Sequence, residues 1–131
     1  MHKLTLWGTM SLGALLDALA ALPDEARVYY DRWHARPWGL ASYLGYDDHL
    51  ALGCVLDDNV TLVYALRAQL ASAVGAVFAG RKGGKFRVTR ETPVWSDNLG
   101  ICSGTRIVAV HPEPTEPVAC VRLVTDCEPW A

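Results

Sequence analysis

What this chain lacks does much to narrow it. Among its four cysteines (Cys54, Cys102, Cys120 and Cys127) there is no Cys-x-x-Cys, and no histidine stands at a zinc-finger interval from a cysteine pair. That argues against a structural zinc module and leaves four buried or half-buried thiols as the expectation. No stretch reaches the ~18 apolar residues of a membrane span. The apolar N-terminal run from Met10 is broken by Asp17 and is followed by no clean cleavage site, so it reads as an amphipathic helix and the chain as cytoplasmic. Large net charge is missing too: 12 basic against 14 acidic residues give -2, which argues against general nucleic-acid binding. Neither Gly-x-Gly-x-x-Gly nor a Walker A loop occurs; Ala79 and Phe86 stand where the latter needs Gly and Ser/Thr.

What remains is 131 residues, 51% hydrophobic and 20% charged, the size and composition of one globular domain spanning 1–131. Leu4 to Trp7 reads as a first short strand. Ser11 caps a helix in which Leu12, Leu15, Leu16, Leu19 and Leu22 form the apolar stripe, with Pro23 as its stop. "ARVYYD" (26–31) and "HLALGCVL" (49–56) have strand composition. Between them, residues 32–48 show no period and read as a long aromatic loop. Asn59 or Thr61 caps a second helix with Leu62, Val63, Leu66, Leu70 and Val74 as its stripe and Gly75 as its C-terminal cap. Residues 10–21 and 60–71 echo each other at an offset of fifty, matching Leu12/Leu62, Leu16/Leu66, Ala18/Ala68 and Ala21/Ala71. "PVW" (93–95) reads as a further short strand, and 105–111 with 118–125 as a hairpin across "PEPTEP". The fold expected is α+β: a mostly antiparallel sheet with two amphipathic helices packed on one face.

Charge is concentrated in "GRKGGKFRVTR" (80–90), where Arg81, Lys82, Lys85, Arg87 and Arg90 surround Gly83 and Gly84. A two-residue Gly-Gly hairpin turn would bring Arg81, Lys82, Lys85 and Arg87 together on the solvent side, with Phe86 and Val88 facing the core. Guanidinium and ammonium groups on a rigid ribbon suit phosphate. The competing reading is a solvated edge hairpin whose cations discourage strand addition. Trp33, Trp38, Tyr43 and Tyr46 fall in the aromatic loop, beside His34, Arg32 and Arg36; such a mix stacks on a base, grips a partner protein or plugs a sheet end. Trp95 precedes a polar turn containing Asn98. "DDH" (47–49) offers too few ligands for a metal, and Cys102 has no histidine placed against it. No metal, cofactor or catalytic set is expected.

The segments "SLGALLDALAALPDEARVYYD", "SYLGYDDHLALG" and "KGGKFRVTRETPVWSDNLGICSGTRIVAV" resemble, in their order, a family of small, largely uncharacterised proteins encoded by bacteriophages and prophages. The resemblance spans residues 9 to about 110 and draws attention to Gly45, Tyr46, Asp47, Lys82, Gly83, Gly84, Trp95, Asn98 and Gly100. Leu99 and Leu44 depart from it, standing where an aromatic and an arginine are usual. It implies a genomic setting and no chemistry. The function expected is binding: a phosphorylated or nucleotide-like ligand held between the basic ribbon and the aromatic loop, with a homo-oligomer as default and sequestration of a host immune signal as purpose. The alternative is a protein–protein inhibitor or adaptor acting on a host defence protein through the aromatic loop.

Overall fold

The computed structural model describes residues 4–32, 35–43, 48–79, 84–97, 102–113 and 119–129. In chain order the elements are α1 (Leu12–Ala20), β1 (Arg27–Tyr30), β2 (Arg36–Ser42), β3 (Leu50–Val55), β4 (Thr61–Leu62), α2 (Val63–Ala73), β5 (Val77–Ala79), β6 (Lys85–Arg87), β7 (Val94–Ser96), β8 (Cys102–Glu113) and β9 (Cys120–Pro129). Seven strands form one sheet in the order β2-β3-β7-β8-β9-β1-β4, while β5 and β6 make a separate hairpin. The large sheet is mixed, with β1–β9 and β3–β7 parallel and its other pairings antiparallel. The α+β class and the mostly antiparallel sheet are as the sequence implied.

The sheet is strongly curled. β2 at one edge meets β1 and β4 at the other. The Tyr30 amide donates to the Ala35 carbonyl at 2.7 Å, and the Thr61 hydroxyl donates to the Pro37 carbonyl at 3.0 Å. Arg36 crosses the same seam through Nη1, which donates to the Thr61 hydroxyl at 3.2 Å, while its Nε and Nη2 bind Asp57 and hold that carboxyl well below the usual carboxylate range. Both helices pack onto one continuous core inside this curl. Leu12, Leu15, Leu19, Val63, Leu66 and Leu70 are fully buried there against Val28, Leu50, Leu52, Val94, Ile107 and Leu123. Each such aliphatic side chain stabilises the fold by roughly 1.5–3 kcal/mol relative to exposure.

The N-termini of the helices show why the two cap expectations fared differently. At α1 the Ser11 hydroxyl accepts from the Ala14 amide, as expected, and further orphan donors reach another segment: Leu12 N–H to the Thr92 carbonyl, Gly13 N–H to the Arg90 carbonyl. At α2 no side chain caps. Val63 and Tyr64 instead donate to the carbonyls of Ala26 and Asp24. Those backbone acceptors leave Thr61 for β4 and the seam. The helices therefore run antiparallel. The start of α2 lies just beyond the end of α1, and its end, where Gly75 (φ 86°) donates to Val88, lies toward Arg90. Val74, expected in the apolar stripe, is exposed, and Ala73 is buried instead.

Two further expectations need correction. Residues 4–7 form a turn, not a strand: Thr5 binds Thr9 through amide and hydroxyl, and Gly8 takes a φ of 77°. The supposed loop 32–48 contains the seven-residue strand β2. Its period was hidden by a bulge at Trp38–Gly39, two residues standing opposite Gly53. The expected Gly83-Gly84 turn falls on Gly83, outside the described residues; the hairpin it was to join is present, with Ala79 paired to Lys85. The hairpin of β8 and β9 is as expected, and longer.

The segment before α1 acts as a wedge. β7 and β8 pair at Trp95↔Arg106, and Met10 then comes between them, its amide donating to Ile107 and its carbonyl accepting from Val94. The buried Thr9 hydroxyl donates to the Val94 carbonyl and accepts from the Ile107 amide at 3.1 Å.

Candidate functional site: a charged groove between the helices

The sequence-predicted residues that the structure describes are not gathered in one place. Arg81, Lys82, Gly83, Trp33, Tyr46, Asp47 and Asn98 lie outside the described residues. Lys85 and Arg87 are exposed on one side of β6, with Phe86 half-buried and Val88 buried, so the expected alternation holds. The Arg87 guanidinium, however, donates to the Gly75 carbonyl at 2.7 Å and so helps to close the end of α2. Gly84 leads into β6 beside them. Arg90 turns the opposite way, toward α1.

That turn builds the groove. Arg90 Nη2 donates to Asp17 Oδ1 at 2.8 Å and to the Gly13 carbonyl at 3.2 Å. It is fixed there because the Arg90 carbonyl accepts from the first turn of α1. Across the groove, Arg67 on α2 pairs with Asp24 at 2.8 Å. Asp17, Ala20, Tyr64, Arg67, Ala68, Ala71 and Arg90 line an open cavity of about 500 Å³. The alanines create the volume, since their short side chains leave room between the helices. Tyr64 stands half exposed at one end.

The electrostatics of the groove are exchangeable. Asp17 and Asp24 are 74% and 65% exposed, so both ion pairs face water. Such pairs contribute about 0–1 kcal/mol. Carboxylates held this weakly leave both guanidinium groups open to exchange with another anion.

The outer face of the sheet is built differently. Tyr43 on the run after β2 stacks on Trp95 with ring centroids 4.8 Å apart and planes 8° apart. The Tyr43 hydroxyl accepts from the Thr105 amide. Trp95 Nε1 donates to Nδ1 of the buried His49 at 3.0 Å, and Trp7 meets His49 edge-on. An indole N–H can only donate, so His49 Nδ1 carries no proton. Burial pushes the His49 pKa down, against a smaller opposing pull from Asp48, whose carboxylate lies 3.5 Å from Nε2. The stacked pair Tyr43–Trp95 thus belongs to a packed cluster with Ala51. Trp38 is 40% exposed on the bulge of β2 and lines a separate small groove with Asp97.

Other chemistry-bearing groups are accounted for by packing. Tyr30 is fully buried, its hydroxyl donating to the carbonyls of Leu52 and Gly53, and burial raises its pKa well above the ordinary value. Burial likewise pushes the Cys54 thiol up, away from thiolate character. Among the described residues no cluster of three or more His, Cys, Asp or Glu is placed to hold a metal, and no helix is long and apolar enough to cross a membrane.

Sequence reasoning missed Asp17, Tyr64 and Arg67 as site residues. The signal was present in the fifty-residue echo: its two helices carry opposite charges, Asp17 and Arg67, at matching positions beside the matched alanines. Comparison with protein-family models, with curated proteins and with solved structures returns no match.

Proposed function

We propose that this chain is a non-catalytic binding protein that holds a phosphorylated, nucleotide-like ligand in the groove between α1 and α2. The observation that carries the reading is the arrangement of Arg67 and Arg90 on one alanine-floored cavity, each guanidinium held by an exposed carboxylate that a phosphate can replace. The ring of the ligand lies along Ala20, Ala68 and Ala71 and against Tyr64, and its phosphate meets the guanidinium groups. Lys85 and Arg87 steer anions toward this side without touching them. The resemblance of the motif order to small phage proteins supports a viral setting, in which such a protein works in the host cytoplasm by sequestering a signalling nucleotide. A homo-oligomer remains the default assembly.

Calorimetric titration with adenosine 5′-monophosphate tests the site. Arg67→Gln with Arg90→Gln abolishes measurable binding, while Lys85→Glu with Arg87→Glu keeps the affinity within a few-fold at physiological salt. The reverse pattern moves the site to the hairpin, and no binding by the wild-type chain removes the reading.

One observation favours a second reading, a protein–protein contact. Leu6 and Trp7 project from the turn before α1, the first fully exposed and the second about half so. A host protein co-purifying with the wild type and lost on Trp7→Ala would support it.

A further inference from the structure

The small groove on the outer face of the sheet has a chemistry opposite to that of the helical one. It measures about 220 Å³ and is lined by Trp38, Leu40, Ala41, Ala51, Gly53 and Asp97. Its floor is bare for a structural reason. Gly53 faces the bulge of β2, where a Cβ would run into the Trp38 carbonyl oxygen, while Gly39 (φ 92°) has open space where its side chain would be. Ala41 and Ala51 pair directly and add one methyl each. The side-chain layer is therefore nearly empty over this part of β2 and β3. Around it stand an indole, half in water, and one carboxylate.

We infer that this groove binds an alkylammonium group, its charge between the Asp97 carboxylate and the Trp38 ring and its methylene stem on the Gly53–Ala51 floor. An aromatic face and a carboxylate are the two groups that recognise such a cation, the first through its quadrupole and the second by charge-assisted hydrogen bonds. Among the described residues the lining carries no basic side chain. Asp97 is held from behind: its amide donates to Leu52 and its carbonyl accepts from Arg32, whose guanidinium also binds Ser96. This fixes the backbone of the carboxylate before any ligand arrives. Partial burial raises the Asp97 carboxyl against a smaller pull from Arg32, so a cationic neighbour relieves an existing cost. The volume admits a single amine head and short stem, which matches either a free amine or a lysine side chain presented by another protein.

The test uses n-butylammonium followed through the indole N–H signal of Trp38 in ¹H–¹⁵N spectra, assigned by its loss in Trp38→Phe. The expected result is a saturable shift with n-butylammonium and none with n-butanol at equal concentration. Asp97→Asn, which keeps the shape, weakens binding roughly tenfold or more. Trp38→Phe weakens it by less than Trp38→Ala, read by calorimetry. Nα-acetyl-lysine N-methylamide distinguishes the sources: tighter binding than n-butylammonium marks a protein lysine, and equal or weaker binding marks a free amine. Equal shifts with n-butanol, unchanged affinity in Asp97→Asn, or no saturation with either amine overturns the inference.

Discussion

The helix side and the outer sheet side of this molecule keep their polar groups in opposite ways. Between α1 and α2 the charges are full, exposed and paired with carboxylates that water already surrounds. Around Trp95 and at the Thr9 wedge the polar groups are neutral, buried and directional, as in the Trp95–His49 and Thr9–Ile107 hydrogen bonds. Exposed pairs can be exchanged for a ligand at little cost, whereas a buried donor left without a partner costs about 1–3 kcal/mol. The contrast teaches where to look for binding. The many aromatics of the sheet attract attention in the sequence, yet Tyr43 and Trp95 are occupied with one another.

If that division is right, substitutions on the sheet cost stability and substitutions in the helical groove cost binding. Gly53→Ala should have the largest effect, because the added methyl must displace the Trp38 backbone; chemical denaturation should show a loss of about 3 kcal/mol or more. Thr9→Val should follow at about 2–3 kcal/mol, since it strands the Ile107 amide and the Val94 carbonyl at the wedge. A near-neutral Thr9→Val would mean that the wedge is held by Met10 alone.

The pH dependence sharpens the comparison further. His49 is neutral and its folded pKa lies below the unfolded value near 6.5. Between the two values the unfolded chain binds more protons than the folded one. The His49 contribution is therefore fully present above about pH 6.5 and is lost as pH falls, with a slope of at most about 1.4 kcal/mol per pH unit. Subtracting the stability profile of His49→Gln from that of the wild type should isolate this slope. A difference of opposite sign would mean that Asp48 holds His49 protonated. The smallest effect belongs to the groove: Arg67→Gln should change stability by less than about 1 kcal/mol in thermal or chemical denaturation.

Much of the fold was readable because the local signals agreed with the tertiary ones. Ser11 with its leucine stripe, the strand around Val28 and Tyr30, Gly75 at the end of α2 and the β8–β9 hairpin all follow from local composition. What escaped the reading was set by partners distant in sequence. Asn59 or Thr61 reads as a cap in the sequence because the carbonyls of Asp24 and Ala26, which do that work, are invisible locally. Strand β2 hid behind its bulge, where Trp38 and Gly39 break the period of two. The site was half readable for a similar reason. Arg90 stands in the sequence as one of five ribbon cations, but its direction is decided by the bond between its carbonyl and Gly13 on α1. Asp17 and Arg67 looked like ordinary polar faces of amphipathic helices until antiparallel packing placed them on one cavity.

The most direct test exploits the resident carboxylate. Asp17→Asn removes the charge that competes for Arg90 and leaves the groove its shape. Adenosine 5′-monophosphate should then bind several-fold more tightly than to the wild type, by calorimetry at constant salt. Unchanged or weaker binding in Asp17→Asn would contradict an anion site at Arg90.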